Sequence, residues 1–334
     1  MQPSTIYLET HSCDPFYNLA FEEVVLRRRQ EGDYLILWQN DRTIVVGQNQ
    51  NTEAEINRSF VEQKNLRVVR RMTGGGAVYH DLGNLNYSFI TDAGEVEALT
   101  MERFTSPVVA VLRGLGLNAE ASGRNDILVD GKKVSGTAQR LMGKRILHHG
   151  TLLFDSDPDM VSGALKVDPE KFRSKSAKSV RSRITNIRPH LREDMDLPTF
   201  WEYLKQSLSG NGFLHQELTD SELKEVEKLR DEKYSTWDWN YGRSPRFDLT
   251  NKRRLPGGTL EASLLVEQGC ISEAAFFGDF LAVAPLDELT DALRGCAFRR
   301  ADVQSVLERF PLRELFGCIT ETEILDTMFH AGDL

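Results

Sequence analysis

RRMTGGGAVYHDLGN, residues Arg70–Asn84, is the stretch from which the rest of this chain is best read. Three consecutive glycines, Gly74–Gly76, follow closely on two arginines. Glycine allows positive φ and lets backbone N–H groups come close to a ligand. Successive N–H groups in such a turn can form an anion-binding nest. An adjacent arginine adds a planar fork of donors suited to phosphate or carboxylate. The combination points to a pocket for an anionic group, although the same residues also suit a tight interstrand turn between solvated arginines. It is neither a Walker A sequence, which needs GK[ST], nor a dinucleotide fingerprint, which needs GxGxxG.

Strand patterns flank this loop, with Arg67–Val69 before it and Ala77–Tyr79 and Leu85–Ile90 after it. Further out, Tyr34–Trp38 and Thr43–Val46 are rich in β-formers, with Gln39–Arg42 as the turn between them. Ile127–Val129, the turn at Asp130–Gly131 and Val134 read as a hairpin, and His149–Phe154 as another strand. Helical periodicity covers Phe16–Arg29, Met101–Leu115, Thr199–Leu208 and Ser221–Lys233, the first opened by Asp14 as cap and Pro15. Strands outnumber crossover helices, so a mixed α+β sheet is expected rather than a doubly wound parallel one. Ser235–Leu255 mixes aromatics, Gly, Pro and charge without a period and reads as a connection to a second domain. Beyond it, the strands Leu260–Val266 and Ile271–Phe277 precede helices at Leu286–Arg294, Ala301–Arg309 and Glu321–Phe329. The expected division is residues 1–245 and 246–334.

The 334 residues are enough for one large domain and a smaller one. A net charge of −9 argues against bulk attraction to nucleic acid or to an anionic membrane. Cys13, Cys270, Cys296 and Cys318 lie far apart without a CxxC pair, which reads as reduced thiols rather than a zinc site or disulfide framework. The N-terminus, MQPSTIYLETHSCD, reads as a first strand rather than a targeting peptide. No run approaches the roughly 18 apolar residues of a membrane span. A soluble cytoplasmic protein is expected.

Three further segments carry candidate chemistry. In GRNDILVDGKKVSG, Gly123–Gly136, a lysine at a strand end precedes small residues. It could stabilise charge on a carboxylate attacking phosphorus, or simply be an exposed hairpin lysine. The pair His148–His149 suits either acid–base work or structural hydrogen bonding. KFRSKSAKSVRSR, Lys171–Arg183, is a solvated basic loop or one that closes over a phosphate.

Taken together and in order, these segments resemble the lipoate–protein ligase family. RRMTGGGAVYHDLGN is similar to its lipoate-binding loop, KVSGTAQR with HHGTLL to its catalytic lysine region, and KSAKSVRSR to its adenylate-binding loop. DPFYNLAFEE and WDWNYGRSP also fit. The resemblance implies a large mixed-sheet domain of the biotin/lipoate ligase type with a small C-terminal α+β domain. It implies Lys133 as the catalytic lysine, touching both the lipoate carboxylate and the nucleotide phosphate. ATP and adenylate contacts would come from Arg71, Gly76, Ala77, Val78, Tyr79, Asn125, Ser135, Ala138 and Lys178. Lipoate would be held by Glu22, Trp38, Gly75, His80 and His149, with Arg71 and Lys133. Asp126 would sit near any Mg2+.

The implied reaction has two halves. Lipoate and ATP give lipoyl-AMP and pyrophosphate, and an acceptor lysine then displaces AMP. The implied acceptors are lipoyl domains of 2-oxoacid dehydrogenase complexes and the glycine-cleavage H protein, with the enzyme a monomer. Two alternatives are a lipoyltransferase using preformed lipoyl-AMP and a non-catalytic lipoate or lipoyl-domain binder. A thioester transferase needs a pocket cysteine, and none occurs between Cys13 and Cys270.

Overall fold

A computed structural model describes residues 5–94, 100–122, 125–165, 183–209, 212–242, 249–267 and 269–329. The basic loop read as Lys171–Arg183 lies outside the described residues except for Arg183, and so does Lys178.

The sheet that carries the molecule has eight strands in the order β11-β1-β2-β6-β10-β9-β8-β7. In chain order these are β1 (Thr5–Glu9), β2 (Tyr34–Trp38), β6 (Asn84–Asp92), β7 (Ala119–Ser122), β8 (Asp126–Val129), β9 (Lys132–Met142), β10 (Arg145–Leu153) and β11 (Phe213–His215). β1 runs parallel to both β2 and β11, while the other pairs are antiparallel. A second sheet, β4-β3-β5, holds β3 (Thr43–Val46), β4 (Arg67–Arg70) and β5 (Val78–His80). The third, β12-β13-β14, holds β12 (Leu249–Leu255), β13 (Gly258–Glu267) and β14 (Cys270–Gly278). The protein is α+β with a large mixed sheet, as the excess of strands over crossovers required.

Registry on the large sheet sets out the functional face. Side chains alternate across a strand, so paired residues form rows on one face. Trp38 pairs with Asn86, which pairs with Thr151, and the Gly136 N–H donates to Thr151 Oγ1 at 3.2 Å. The next row holds Ile36, Ser88, His149 and Ala138. Helix α1 (Pro15–Arg28) covers this face, capped by Asp14, whose Oδ1 accepts from the Phe16 N–H at 3.2 Å. Leu19, Val24 and Val25 of α1 share a core with Ile36, Ile90 and Leu147. The opposite face packs Tyr87, Leu152 and Val134 against the helices Met101–Gly114 and Leu197–Leu208 through Leu112 and Phe200.

Several elements differ from the sequence reading. β2 and β3 enter different sheets, so the turn Gln39–Arg42 links two layers. The helix from Ser221 ends earlier. It spans Asp220–Leu229 and continues as a π-helical turn, Arg230–Tyr234. Ser235–Leu255 is more than a connection, because it contains the helix Trp237–Asn240 and all of β12. Its lack of period had a structural cause: Asn240 and Trp239 point inward to hold a buried arginine rather than alternate on a surface. The Asp130–Gly131 turn is as expected, with φ of 50° and 74° at its two residues, the positive values a tight hairpin demands.

That buried arginine is Arg70, 1% exposed at the end of β4. Its guanidinium donates to the carbonyls of Gly47, Gln48 and Gln50 at 2.7–2.9 Å, to Thr52 Oγ1 at 2.7 Å and to Trp239 O at 2.9 Å. It therefore closes the loop after β3 and clamps the helix Trp237–Asn240 onto β4. An unsatisfied buried acceptor costs ~1–3 kcal/mol, and truncating Arg70 strands several at once. Arg70→Ala should lower unfolding stability by about 3 kcal/mol or more in urea titration, whereas Arg67→Ala, on an exposed residue of the same strand, should change it little.

Candidate active site

The cavity lies between α1, the functional face of the large sheet and the Gly74–Gly76 loop. It is partly open to solvent. One end is lined by Leu19, Trp38, Val45 and His80, and the other by Asn125, Lys133, Gly136 and Thr137. Between them stand Arg71, Gly75–Val78, Asn86, Ala138 and His149–Thr151.

Arg71 shapes the loop. It is 6% exposed, and its guanidinium donates to the carbonyls of Val45 (3.1 Å), Gly74 (2.7 Å) and Gly76 (2.9 Å) and to Thr73 Oγ1 (2.9 Å). With those carbonyls turned to Arg71, the loop curls back on itself, and Gly75 takes φ of +89°. Gly47 is equally constrained, because a Cβ there would sit 2.0 Å from the Gly75 carbonyl oxygen. Burial lowers the Arg71 pKa to about 10, which leaves it cationic at neutral pH. The Gly75 N–H donates to Phe280 O at 3.1 Å, so the C-terminal part of the chain rests on this loop.

A hydrogen-bond chain runs from the loop through the cavity wall. Thr73 Oγ1, already accepting from Arg71, meets His149 Nε2 at 2.8 Å, and His149 Nδ1 meets Glu22 Oε1 at 2.9 Å. Glu22 Oε1 also accepts from Ser88 Oγ at 2.6 Å, and Ser88 Oγ accepts from Trp38 Nε1 at 2.9 Å. A carboxylate buried without partners would cost several kcal/mol. Glu22, 1% exposed, is held by two donors and fixes His149 with Nδ1–H toward it. The Thr73 hydroxyl then donates to His149 Nε2, so Thr73, His149, Glu22, Ser88 and Trp38 each have a hydrogen-bond partner. Glu22 stands behind His149 rather than on the cavity surface.

Lys133 enters from β9. Its Nζ pairs with Asp126 Oδ1 at 2.7 Å, both side chains about one-third exposed at 35% and 34%. The register of β8 and β9 shifts between Ile127 and Leu128, so that Ser135 and Lys133 face these neighbours with Val134 as the extra residue. Such a bulge re-aims side chains and recurs beside active sites. Gly136 makes room for the lysine: a Cβ there would stand 3.0 Å from Lys133 Nζ.

The structure gathers most of the residues singled out in the sequence. Arg71, Gly75, Gly76, Ala77, Val78, His80, Asn125, Lys133, Ala138, His149 and Trp38 all line one cavity. Two do so poorly. The Tyr79 side chain packs away from it, with Ile44, Val46 and Ile56, and the Ser135 side chain is fully buried away from the cavity lining. Strand alternation is the reason in both cases, since each neighbours a cavity residue in sequence. Asp126 reaches the cavity through its pair with Lys133. Among the described residues, no group of three or more His, Cys, Asp or Glu could hold a metal ion by itself. The sequence reading missed Thr73, Ser88 and Asn86, whose roles come from partners distant in the chain; Thr73 alone carried a signal, one residue before the glycines.

The two histidines of the HH pair divide by alternation. His149 faces the cavity, while His148 faces the opposite core, stacked on Phe104 at 4.8 Å. Burial lowers the pKa of His148 to about 3, and that of His80 likewise to about 3, with Arg71 adding to the effect at His80. Both stay neutral in the fold while an unfolded histidine protonates near pH 6.5. As pH falls from about 6.5 toward 3, the unfolded state takes up protons that the native state refuses, and stability drops. The slope of unfolding free energy against pH between 6.5 and 4 should be smaller in His148→Leu than in the unsubstituted protein, measured by denaturant titration at each pH.

A cavity lined by a lysine, a buried arginine and a glycine loop, on a mixed sheet, suits a small-molecule ligand carrying an anionic group. The model of the lipoyl protein ligase A/B catalytic domain matches residues 14–209, and that of the bacterial lipoate protein ligase C-terminus matches residues 244–328. The chain is 42% identical to lipoate-protein ligase LplJ of Bacillus subtilis over 321 residues, 95% of this chain and 97% of that protein. Among solved structures, a bi-partite lipoate protein ligase from Thermoplasma acidophilum, studied with its E2 lipoyl domain, is 32% identical with a TM-score of 0.65, covering 75% of this chain and all of that one. A lipoate-protein ligase A bound with ATP is 29% identical with a TM-score of 0.63, covering 72% and 99%. The chain belongs to the lipoate–protein ligase family and is a ligase-family enzyme.

Proposed function

We propose that the protein activates lipoate with ATP as lipoyl-AMP and passes the lipoyl group to a lysine of a lipoyl domain. The observation that carries this reading is Lys133, placed at one end of a cavity whose wall is built by Arg71 and the glycine loop. A carboxylate and a triphosphate repel one another, and an ammonium between them offsets charge as the attacking oxygen closes on phosphorus. Lys133 lines the cavity and offers three donors for that role. It acts by charge stabilisation, so no covalent enzyme intermediate is needed. No cysteine is among the described residues lining the cavity, which favours the adenylate route over thioester transfer.

ATP binding is supported by the ATP-bound relative, and a lipoyl-domain acceptor by the Thermoplasma acidophilum system. Arg71, Gly76, Ala77, Val78, Asn125 and Ala138 are assigned to the adenylate, with main-chain contacts from Tyr79 and Ser135. Trp38, Gly75, His80 and His149, backed by Glu22, are assigned to the lipoyl chain. ATP would arrive as its magnesium complex, with Asp126 the side-chain carboxylate available to the ion. One carboxylate suffices, since Mg2+ keeps waters and leans on substrate phosphates. The glycine-cleavage H protein belongs to the same class of acceptor, and the proposed enzyme is a cytoplasmic monomer. Among the described residues no helix is long and apolar enough to cross a membrane.

We also propose the division into a catalytic domain, 1–245, and an accessory domain, 246–334. It is supported by a hydrophobic core built wholly from residues 249–329, including Leu264, Phe276, Phe280, Phe316 and Met328.

Pyrophosphate release from ATP with lipoate is expected from the purified protein. Transfer from synthetic lipoyl-AMP without such release would replace this reading with a lipoyltransferase. Lys133→Ala should cut lipoate-dependent pyrophosphate release at least a hundredfold, in line with the loss of one transition-state donor. Its circular dichroism and melting should stay unchanged, because the side chain is one-third exposed.

A further inference from the structure

The two histidines on the cavity wall are not equivalent. His149 has both ring nitrogens engaged, Nδ1 with Glu22 and Nε2 with Thr73. Among the described residues His80, 3% exposed, has a hydrogen-bond partner only at Nδ1, which lies 3.2 Å from Asn40 Nδ2. Its Nε2 has none.

The neighbouring amides fix which nitrogen carries the proton. Asn18 Nδ2 stands 3.0 Å from Ser12 O and 2.6 Å from Gln39 O, two main-chain carbonyls that can only accept. That end of Asn18 is therefore the NH2 group. Asn40 Oδ1 lies 2.9 Å from it and must be an oxygen, because an NH2 there would face another NH2. Asn40 Nδ2 then faces His80, so His80 Nδ1 accepts and the proton is on Nε2. Asn18 and Asn40 are 1% and 0% exposed, and the relay has no solvent to rearrange it. Burial and the Arg71 charge keep the ring neutral.

His80 also lies at the end of the cavity away from Lys133. Its ring centroid is 6.2 Å from that of Trp38. Trp38 begins the row that crosses Asn86 and Thr151 to Gly136, beside Lys133 Nζ. Three interstrand spacings of ~4.8 Å put the ends of that row ~14 Å apart. If Lys133 holds the carboxylate, as the proposed function has it, His80 meets the distal end of the acyl chain.

We infer that His80, with its tautomer set by the Asn18–Asn40 relay, selects a sulfur-bearing acyl tail over a plain hydrocarbon one. The cyclic disulfide of lipoate brings polarisable lone pairs to the buried Nε2–H. The terminal methyl of octanoate brings no acceptor and leaves that donor unsatisfied. Sulfur is a weak acceptor, so the preference is modest. Asn40 is a positioning residue, because it acts only through His80.

The inference rests on the proposed function, and the test separates the two. Binding of lipoate and of octanoate to the full-length protein is measured by calorimetry, without ATP. Lipoate should bind more tightly to the unsubstituted protein. His80→Leu should shift the ratio of the two dissociation constants about fivefold toward octanoate, about one hydrogen bond's net contribution, while His80→Gln, which keeps an N–H donor, should preserve much of it. Histidine 15N spectra should place the His80 proton on Nε2, and Asn40→Asp, whose oxygens only accept, should draw a proton to Nδ1. An unchanged ratio in His80→Leu, or an Nδ1–H tautomer in the unsubstituted protein, overturns the inference while leaving the ligase reading intact. Failure of both acids to bind overturns both.

Discussion

Two consecutive arginines at the end of β4 hold the site together. Arg70 and Arg71 are 1% and 6% exposed and point to opposite sides of the strand. Each gives its guanidinium chiefly to main-chain carbonyls. Arg70 closes the loop after β3 and anchors the helix Trp237–Asn240, and Arg71 curls the glycine loop. Loop backbone is rarely buried because its polar groups lose water. Here five fixed donors per arginine replace that water, and two irregular segments can form a cavity wall.

The second constraint is the alternation of the large sheet. α1 covers one face, and every second residue of β2, β6, β10 and β9 turns to it. That rule puts Trp38, Ser88, His149 and Ala138 on the functional face and sends Tyr87 and His148 to the opposite core. It also explains why polar residues survive there. The Arg71–Thr73–His149–Glu22–Ser88–Trp38 chain pairs each buried polar group with a neighbour, and a partly satisfied network would be worse than an apolar one. One wall of the cavity is thereby backed by buried hydrogen bonds, and the charged end, at Lys133 and Asp126, is where the sheet is interrupted by a bulge.

The sequence told most where local chemistry is strict. RRMTGGG announced close backbone approach, since few residues besides glycine accept such a loop. DGKK announced a tight hairpin carrying a lysine, and the excess of strands announced a mixed α+β fold. Family membership was legible in the order of the motifs, because each is bound to a loop the fold cannot vary freely.

Other features were invisible until strands were paired. A histidine pair gives no sign of which ring faces the cavity; register with β6 and β9 decides it. Tyr79 and Ser135 adjoin cavity residues in sequence yet point away, for the same reason. Asn18, Asn40, Thr73 and Ser88 look like ordinary polar residues, and their meaning comes from partners up to 76 residues distant. The sequence by itself determined the fold class, the glycine loop and the lysine that lines the cavity. Only the tertiary structure decided which side chains face the cavity and which proton each one offers, because strand register and buried hydrogen bonds are relations between segments that no single segment contains.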